Sequence, residues 1–125
     1  MLELGALLTA PSCARAWTRQ VLRDWQLSVL SDTVELVVSE LITNAMLASR
    51  RLGRPFVRLT LSLHDCELAI SVHDYSAGVP KPGNAADEDE NGRGLALVEA
   101  ISSRSGWHTF DDGTPGKVVW AVLQT

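Results

Sequence analysis

Three short stretches of this chain carry residue types that could do chemistry. The first is Glu40 and Asn44, one turn apart in a segment with helical periodicity. At 3.6 residues per turn Asn44 falls inside the arc defined by Val37, Leu41 and Ala48. A carboxamide among core residues needs partners, since burying it unsatisfied costs about 1–3 kcal/mol. With Glu40 on the same edge, the pair could form the cation or phosphate end of a pocket. The same spacing is also met if Asn44 bonds a loop backbone and Glu40 pairs with an arginine.

The second is Asp74, which keeps the parity of Leu68, Ile70 and Val72 in an alternating run and so points inward at the strand's exit. An inward carboxylate is costly unless it accepts strong hydrogen bonds. An adenine amino group is one natural donor; the backbone of the following turn is another. Ser76 and Gly78 follow, small residues that let a ligand approach the backbone.

The third is Gly92-Arg93-Gly94 at an expected helix start, directly after a long loop. Exposed amides and the helix dipole there favour an anion, and Arg93 could add a charge-assisted contact. A lone Gly-x-Gly is a weak motif. Its place after a loop able to close over a ligand strengthens it.

The elements that must position these residues can be read along the chain. Met1 to Thr9 suits a first strand, and Thr9-Ala10-Pro11-Ser12 a turn into a helix. Trp17, Val21 and Trp25 form an apolar stripe from Ala14 onward, with Arg15, Arg19 and Arg23 opposite. That basic row reads as a solvated face or as a docking surface for an acidic partner. A second helix is expected near Asp32, where Asp32-Thr33-Val34-Glu35 has the form of a capping box. Its stripe is Val34, Val37, Val38, Leu41, Ala45 and Ala48, and Gly53 and Pro55 end it.

Phe56 to Leu63 and Cys66 to Asp74 alternate as two strands of a hairpin. Tyr75 to Asn91 is a loop containing the acidic run Asp87-Glu88-Asp89-Glu90, with residues 80–91 as a candidate lid. Leu95, Val98 and Ile101 mark a third helix. Two closing strands, roughly Ser105 to Phe110 and Lys117 to Leu123, flank a turn-rich link. This order predicts one α+β domain over 1–125: a two-layer sandwich whose mixed, mostly antiparallel sheet is covered on one face by three helices. It argues against a Rossmann-type parallel sheet.

Composition narrows the class. At 125 residues, 46% hydrophobic and 21% charged, the chain can bury a real core. A net charge of −4 and a pI near 5.2 disfavour direct nucleic-acid binding. No apolar run is long enough to span a bilayer, and the N-terminus lacks the basic region of a signal peptide. Cys13 and Cys66 form no disulfide framework, His64, His73 and His108 are scattered, and the tryptophans read as separate core or edge fillers. A cytoplasmic protein with reduced thiols and no structural metal is expected.

Taken in order, Glu40-Leu-Ile-Thr-Asn44-Ala45, Asp74-Tyr-Ser-Ala-Gly78 and Gly92-Arg-Gly-Leu-Ala-Leu-Val98 resemble the three ATP-site boxes of the GHKL superfamily. That superfamily includes gyrase, the large heat-shock chaperones, histidine kinases and mismatch-repair ATPases. The chain is most similar to the small bacterial branch of anti-sigma factors that are also serine/threonine kinases. The likeness runs from about Thr9 to Leu123 and takes in Gly116-Lys117-Val118-Val119-Trp120.

By this resemblance the cofactors are ATP and Mg2+. Asn44 would coordinate magnesium, Asp74 would recognise adenine, and Gly92, Arg93 and Gly94 would contact phosphates. Ser76, Gly78 and Leu95 complete the implied nucleotide site, and Glu40 would be the general base on a target hydroxyl. Such chemistry is coherent: magnesium takes oxygen ligands, and a carboxylate near the γ-phosphate can accept the hydroxyl proton. Ser76 stands where the Asp-x-Gly-x-Gly box has its first glycine, and the acidic lid would repel nucleotide unless held open or neutralised. With no phosphoacceptor histidine on a helix and no preceding dimerisation helices, a complete histidine kinase is not expected.

The expected function is an ATP-dependent switch that holds a sigma factor inactive and phosphorylates an anti-anti-sigma antagonist. A homodimer is expected, with no direct nucleic-acid or membrane partner. Two alternatives use the same residues: a non-catalytic module that sequesters a partner under nucleotide control, and a folded relic in which Asn44 and Asp74 are structural.

Overall fold

Alternation builds the centre of the molecule. The computed structural model describes residues 1–5, 8–51, 56–75 and 89–125, with the backbone alone for 50–51 and 89–94. Strand β2 (Phe56–His64) and strand β3 (Glu67–Asp74) pair as an antiparallel hairpin, from Val57↔Asp74 to His64↔Glu67. Asp65 makes the turn at a φ of 55°, a left-handed conformation that aspartate tolerates well. Every second side chain points to one face, and Val57, Leu59, Leu68, Ile70 and Val72 there are fully buried. Burying each contributes about 1.5–3 kcal/mol. Leu63, which the alternation also turns inward, lies at the strand's end and remains 40% exposed.

Strand β5 (Lys117–Gln124) pairs with β3, strand β4 (Arg104–Thr109) lies outside β5, and strand β1 (Leu2–Gly5) edges β2. The order is β1-β2-β3-β5-β4, and every pairing among the described residues is antiparallel. The expected two-layer α+β sandwich is thus present, with a purely antiparallel sheet.

Three helices make the second layer: α1 (Ala10–Asp24), α2 (Ser31–Arg51) and α3 (Asp89–Ile101). Helix α2 packs on β2, β3 and β5, flanked by α1 towards β1 and by α3 towards β4 and β5. Its buried face includes Val34, Val37, Val38, Leu41 and Ala45, joined by Ile42, Met46 and Ser49; Ala48 is only half-buried.

Helix α1 departs from its expected stripe. Ala10, Ala14, Thr18 and Leu22 are the buried row, while Trp17, Val21 and Trp25 pack half-buried beside it. The small residues let α1 and α2 approach closely, and the bulky rings cover the margin. The arginine row is exposed at Arg19 and Arg23 and half-buried at Arg15, and two of its members also bond to α2. Arg15 donates to Ser39 at 2.8 Å and Arg19 to Glu35 at 2.7 Å, tying α1 to α2, while Arg23 donates to Gln20.

The capping box takes another form. Helix α2 begins at Ser31, after a 3-10 turn (Ser28–Leu30), so Asp32 lies within the first turn. Glu35 accepts from the Ser31 hydroxyl and from Arg19. Among the four tryptophans none is fully buried, and Trp107 is 43% exposed. Both cysteines are free and exposed. Gly53 and Pro55 lie outside the described residues, and none of the described helices is long and apolar enough to cross a membrane.

Candidate functional site

Strand parity places the Asp74 side chain. It follows Leu68, Ile70 and Val72 onto the helix-covered face and is 1% exposed, at the last residue of β3. A carboxylate so buried requires a counter-charge or strong donors. One is supplied across the ladder: Asp74 pairs in register with Lys117, whose Nζ lies 3.2 Å from Asp74 Oδ1. The two side chains are only 2% and 6% exposed.

The backbone holds this pair in place. Gly116 precedes Lys117 at a φ of +99°, where L side chains are strained, and a Cβ there would overlap the Asp74 carbonyl oxygen. Only glycine permits the approach of the β4–β5 link to the exit of β3. On the opposite face of the sheet the His73 ring packs at a tilt against Tyr75 and Phe110, with ring centroids 4.5 and 4.9 Å away. His73 Nε2 lies 3.2 Å from the Pro115 carbonyl oxygen. The end of β3 is therefore gripped on both faces.

Asn44 and Glu40 lie a turn apart on α2, both half-buried. The Asn44 Nδ2 is buried, with no hydrogen-bond partner among the described residues. An orphaned amide group of this kind costs about 1–3 kcal/mol, so the described part of the fold makes no use of this donor. Its oxygen is a hard donor of the type magnesium takes, and magnesium needs few protein ligands when substrate phosphates supply others. The residue types therefore fit a nucleotide-borne magnesium. A dedicated metal cage is a different matter: no group of three or more His, Cys, Asp or Glu among the described residues could hold one.

Helix α3 starts at Asp89, three residues ahead of the expected Gly92, so the candidate lid's residues 89–91 belong to the helix. Gly92 falls in the first turn and Arg93 and Gly94 after it. The free amides of a helix end sit in its first turn, here Asp89 to Gly92. Ser76, Gly78 and lid residues 80–88 lie outside the described residues.

Leu95 is half-buried and, with Leu41, Val98, Trp107 and Val119, lines a cleft of about 250 Å³ between α3, α2 and the β4–β5 edge. Leu41 stands three residues before Asn44, and Val119 two residues after Lys117. The cleft adjoins the polar residues in sequence, yet among Glu40, Asn44, Asp74 and Leu95 it is Leu95 that lines it.

Lys117 is the functional candidate that motif reading passed over. The signal was present, because Lys117 shares the parity of Val119, Ala121 and Leu123 and so had to point inward.

Comparison with known families agrees with this architecture. The family described as histidine kinase-like ATPase domain matches residues 5–123, and the chain belongs to it. No curated protein matches the chain.

Proposed function

We propose that this histidine kinase-like ATPase domain is an ATP- and magnesium-binding anti-sigma factor and serine/threonine kinase. It sequesters a sigma factor and phosphorylates an anti-anti-sigma antagonist, working in the cytoplasm as a homodimer. The observation that carries the nucleotide reading is the buried Asp74 carboxylate at the exit of β3, on the helix-covered face. The buried Asn44 Nδ2 on the packed helix α2, without a hydrogen-bond partner among the described residues, supports it.

In this reading Asp74 accepts from the base amino group, and Asn44 turns its carbonyl oxygen to magnesium. Bound magnesium neutralises charge on the phosphate oxygens. Gly92, Arg93 and Gly94 stand at the phosphates, with Ser76 and Gly78 near the base and Leu95 on the apolar wall. Glu40 accepts the proton of the target hydroxyl as its oxygen bonds to the γ-phosphorus. The bond to the bridging oxygen breaks and ADP leaves.

Incubating the protein with ATP, magnesium and candidate antagonists tests transfer. Phosphate should appear on a serine or threonine of the cognate partner and be lost with Glu40→Ala. Absence of transfer to any cognate partner, with Glu40→Ala behaving identically, contradicts the kinase claim.

One observation favours a second reading, a non-catalytic module that sequesters a partner and uses nucleotide only to set its conformation. The sequence runs Asp87-Glu88-Asp89-Glu90 just ahead of Gly92, and so much negative charge near the phosphates disfavours their transfer chemistry. Tight ATP binding with neither turnover nor transfer would select it.

A further inference from the structure

We infer that Lys117 is a specificity-determining residue of the base pocket, forming with Asp74 an acceptor–donor pair that reads two adjacent positions on one base edge. The inference rests on the reading of Asp74 as the base-recognising carboxylate.

Lysine ordinarily keeps its ammonium in water and buries only its stem. Lys117 does the opposite: it is 5% exposed, its Nζ 3.2 Å from Asp74 Oδ1. Taking two charges out of water costs several kcal/mol per ion, and apolar pairs of similar volume are often as stable. Stability alone therefore does not account for this pair at the inner end of β3 and β5. The placement is also fixed by backbone, through the β3–β5 register and the Gly116 contact with Asp74.

The chemistry of the two groups indicates what the pair can read. An ammonium has three donors and a carboxylate about four acceptor sites, so each group can bond a ligand while also bonding protein neighbours. Adenine presents its 6-amino donor beside its N1 acceptor. A carboxylate alone satisfies the amino group and offers N1 nothing. With Lys117 beside it, the pocket presents an acceptor and a donor side by side, matching both positions. The inference assigns N1 to the ammonium and the amino group to the carboxylate.

The test is calorimetric titration with ATP, 1-deaza-ATP (N1 replaced by CH) and purine riboside triphosphate (amino group removed), each with magnesium. Wild-type protein, Lys117→Met and Lys117→Gln are compared. Lys117→Gln keeps a neutral donor in case Lys117→Met, which strips Asp74 of this counter-ion, does not fold. Discrimination is taken as a ratio within each protein.

Wild type should bind 1-deaza-ATP about tenfold or more weakly than ATP, as expected for loss of a hydrogen bond to a charged donor. In Lys117→Met the two affinities should fall within about threefold. Equal binding of ATP and 1-deaza-ATP by wild type overturns the inference while the nucleotide reading stands. So does unchanged discrimination in both variants. Tighter ATP binding by Lys117→Met also overturns it, since Lys117 would then compete with the base for Asp74. If purine riboside triphosphate binds as well as ATP, or wild type binds no nucleotide, the reading of Asp74 itself fails and the inference falls with it.

Discussion

Lys117 faces Asp74 across the β3–β5 ladder, and their charged ends meet 3.2 Å apart where both side chains are almost wholly buried. The pair joins the last residue of one central strand to the first of another, so fold and candidate site share these atoms. Removing either partner leaves the other charge buried. Asp74→Ala and Lys117→Ala should each destabilise by about 3–5 kcal/mol, while the double variant Asp74→Leu/Lys117→Met should lose much less. Urea unfolding of all three gives the comparison, and additive losses in the double variant would show that the pair is not coupled.

Gly116 and Gly113 separate conformation from crowding. Both have positive φ, +99° and +86°, but only a Cβ at Gly116 meets atoms, those of Asp74 and Tyr75. Gly113→Ala should cost about 1–2 kcal/mol, the price of a left-handed alanine. Gly116→Ala should cost more and weaken nucleotide binding, because the exit of β3 must move. Equal losses in melting experiments would contradict the contact.

The Arg19–Glu35 link makes stability pH-dependent in a stated direction. The Arg19 guanidinium, bonded to Glu35, holds that carboxyl below its ordinary value, with the Ser31 hydroxyl adding to the effect. A carboxylate depressed in the folded state contributes stability above its unfolded pKa and loses it as pH falls through the folded one. The advantage of wild type over Glu35→Gln should be full at neutral pH and shrink below roughly pH 4.3, the ordinary glutamate value. High salt should reduce it at neutral pH, since the pair lies near the surface. A difference in urea midpoint that stays constant from pH 7 to pH 3 would contradict this role.

Glu40 separates binding from transfer. If it is the general base, Glu40→Gln should lower phosphotransfer by about 10²–10⁴-fold and leave the ATP Kd within about threefold. A parallel loss of both would assign Glu40 to binding.

Much of this architecture was legible in the sequence because period-two alternation is a local property. The β2–β3 hairpin, the inward Asp74 and the last two strands follow from parity and agree within a residue or two. What escaped depends on contacts between elements. The α1 stripe was centred on its large residues, whereas close packing against α2 buries the small Ala10, Ala14 and Thr18. The Asp32–Glu35 box gave way because Arg19 on another helix reaches Glu35. The start of α3 was placed at its glycines, since an acidic run reads equally as loop or as a favourable first turn. Lys117 was visible as an inward position, but nothing local names Asp74 as its partner.

Asn44 allows the most direct test of the central claim, that this ATPase domain holds its nucleotide between Asp74 and Asn44. The Nδ2 of Asn44 makes no hydrogen bond to the described residues, so Asn44→Ala should fold with stability close to wild type. Titration of ATP and magnesium into both proteins should then give saturable binding for wild type and none for Asn44→Ala. Equal affinity of the folded variant would contradict the site.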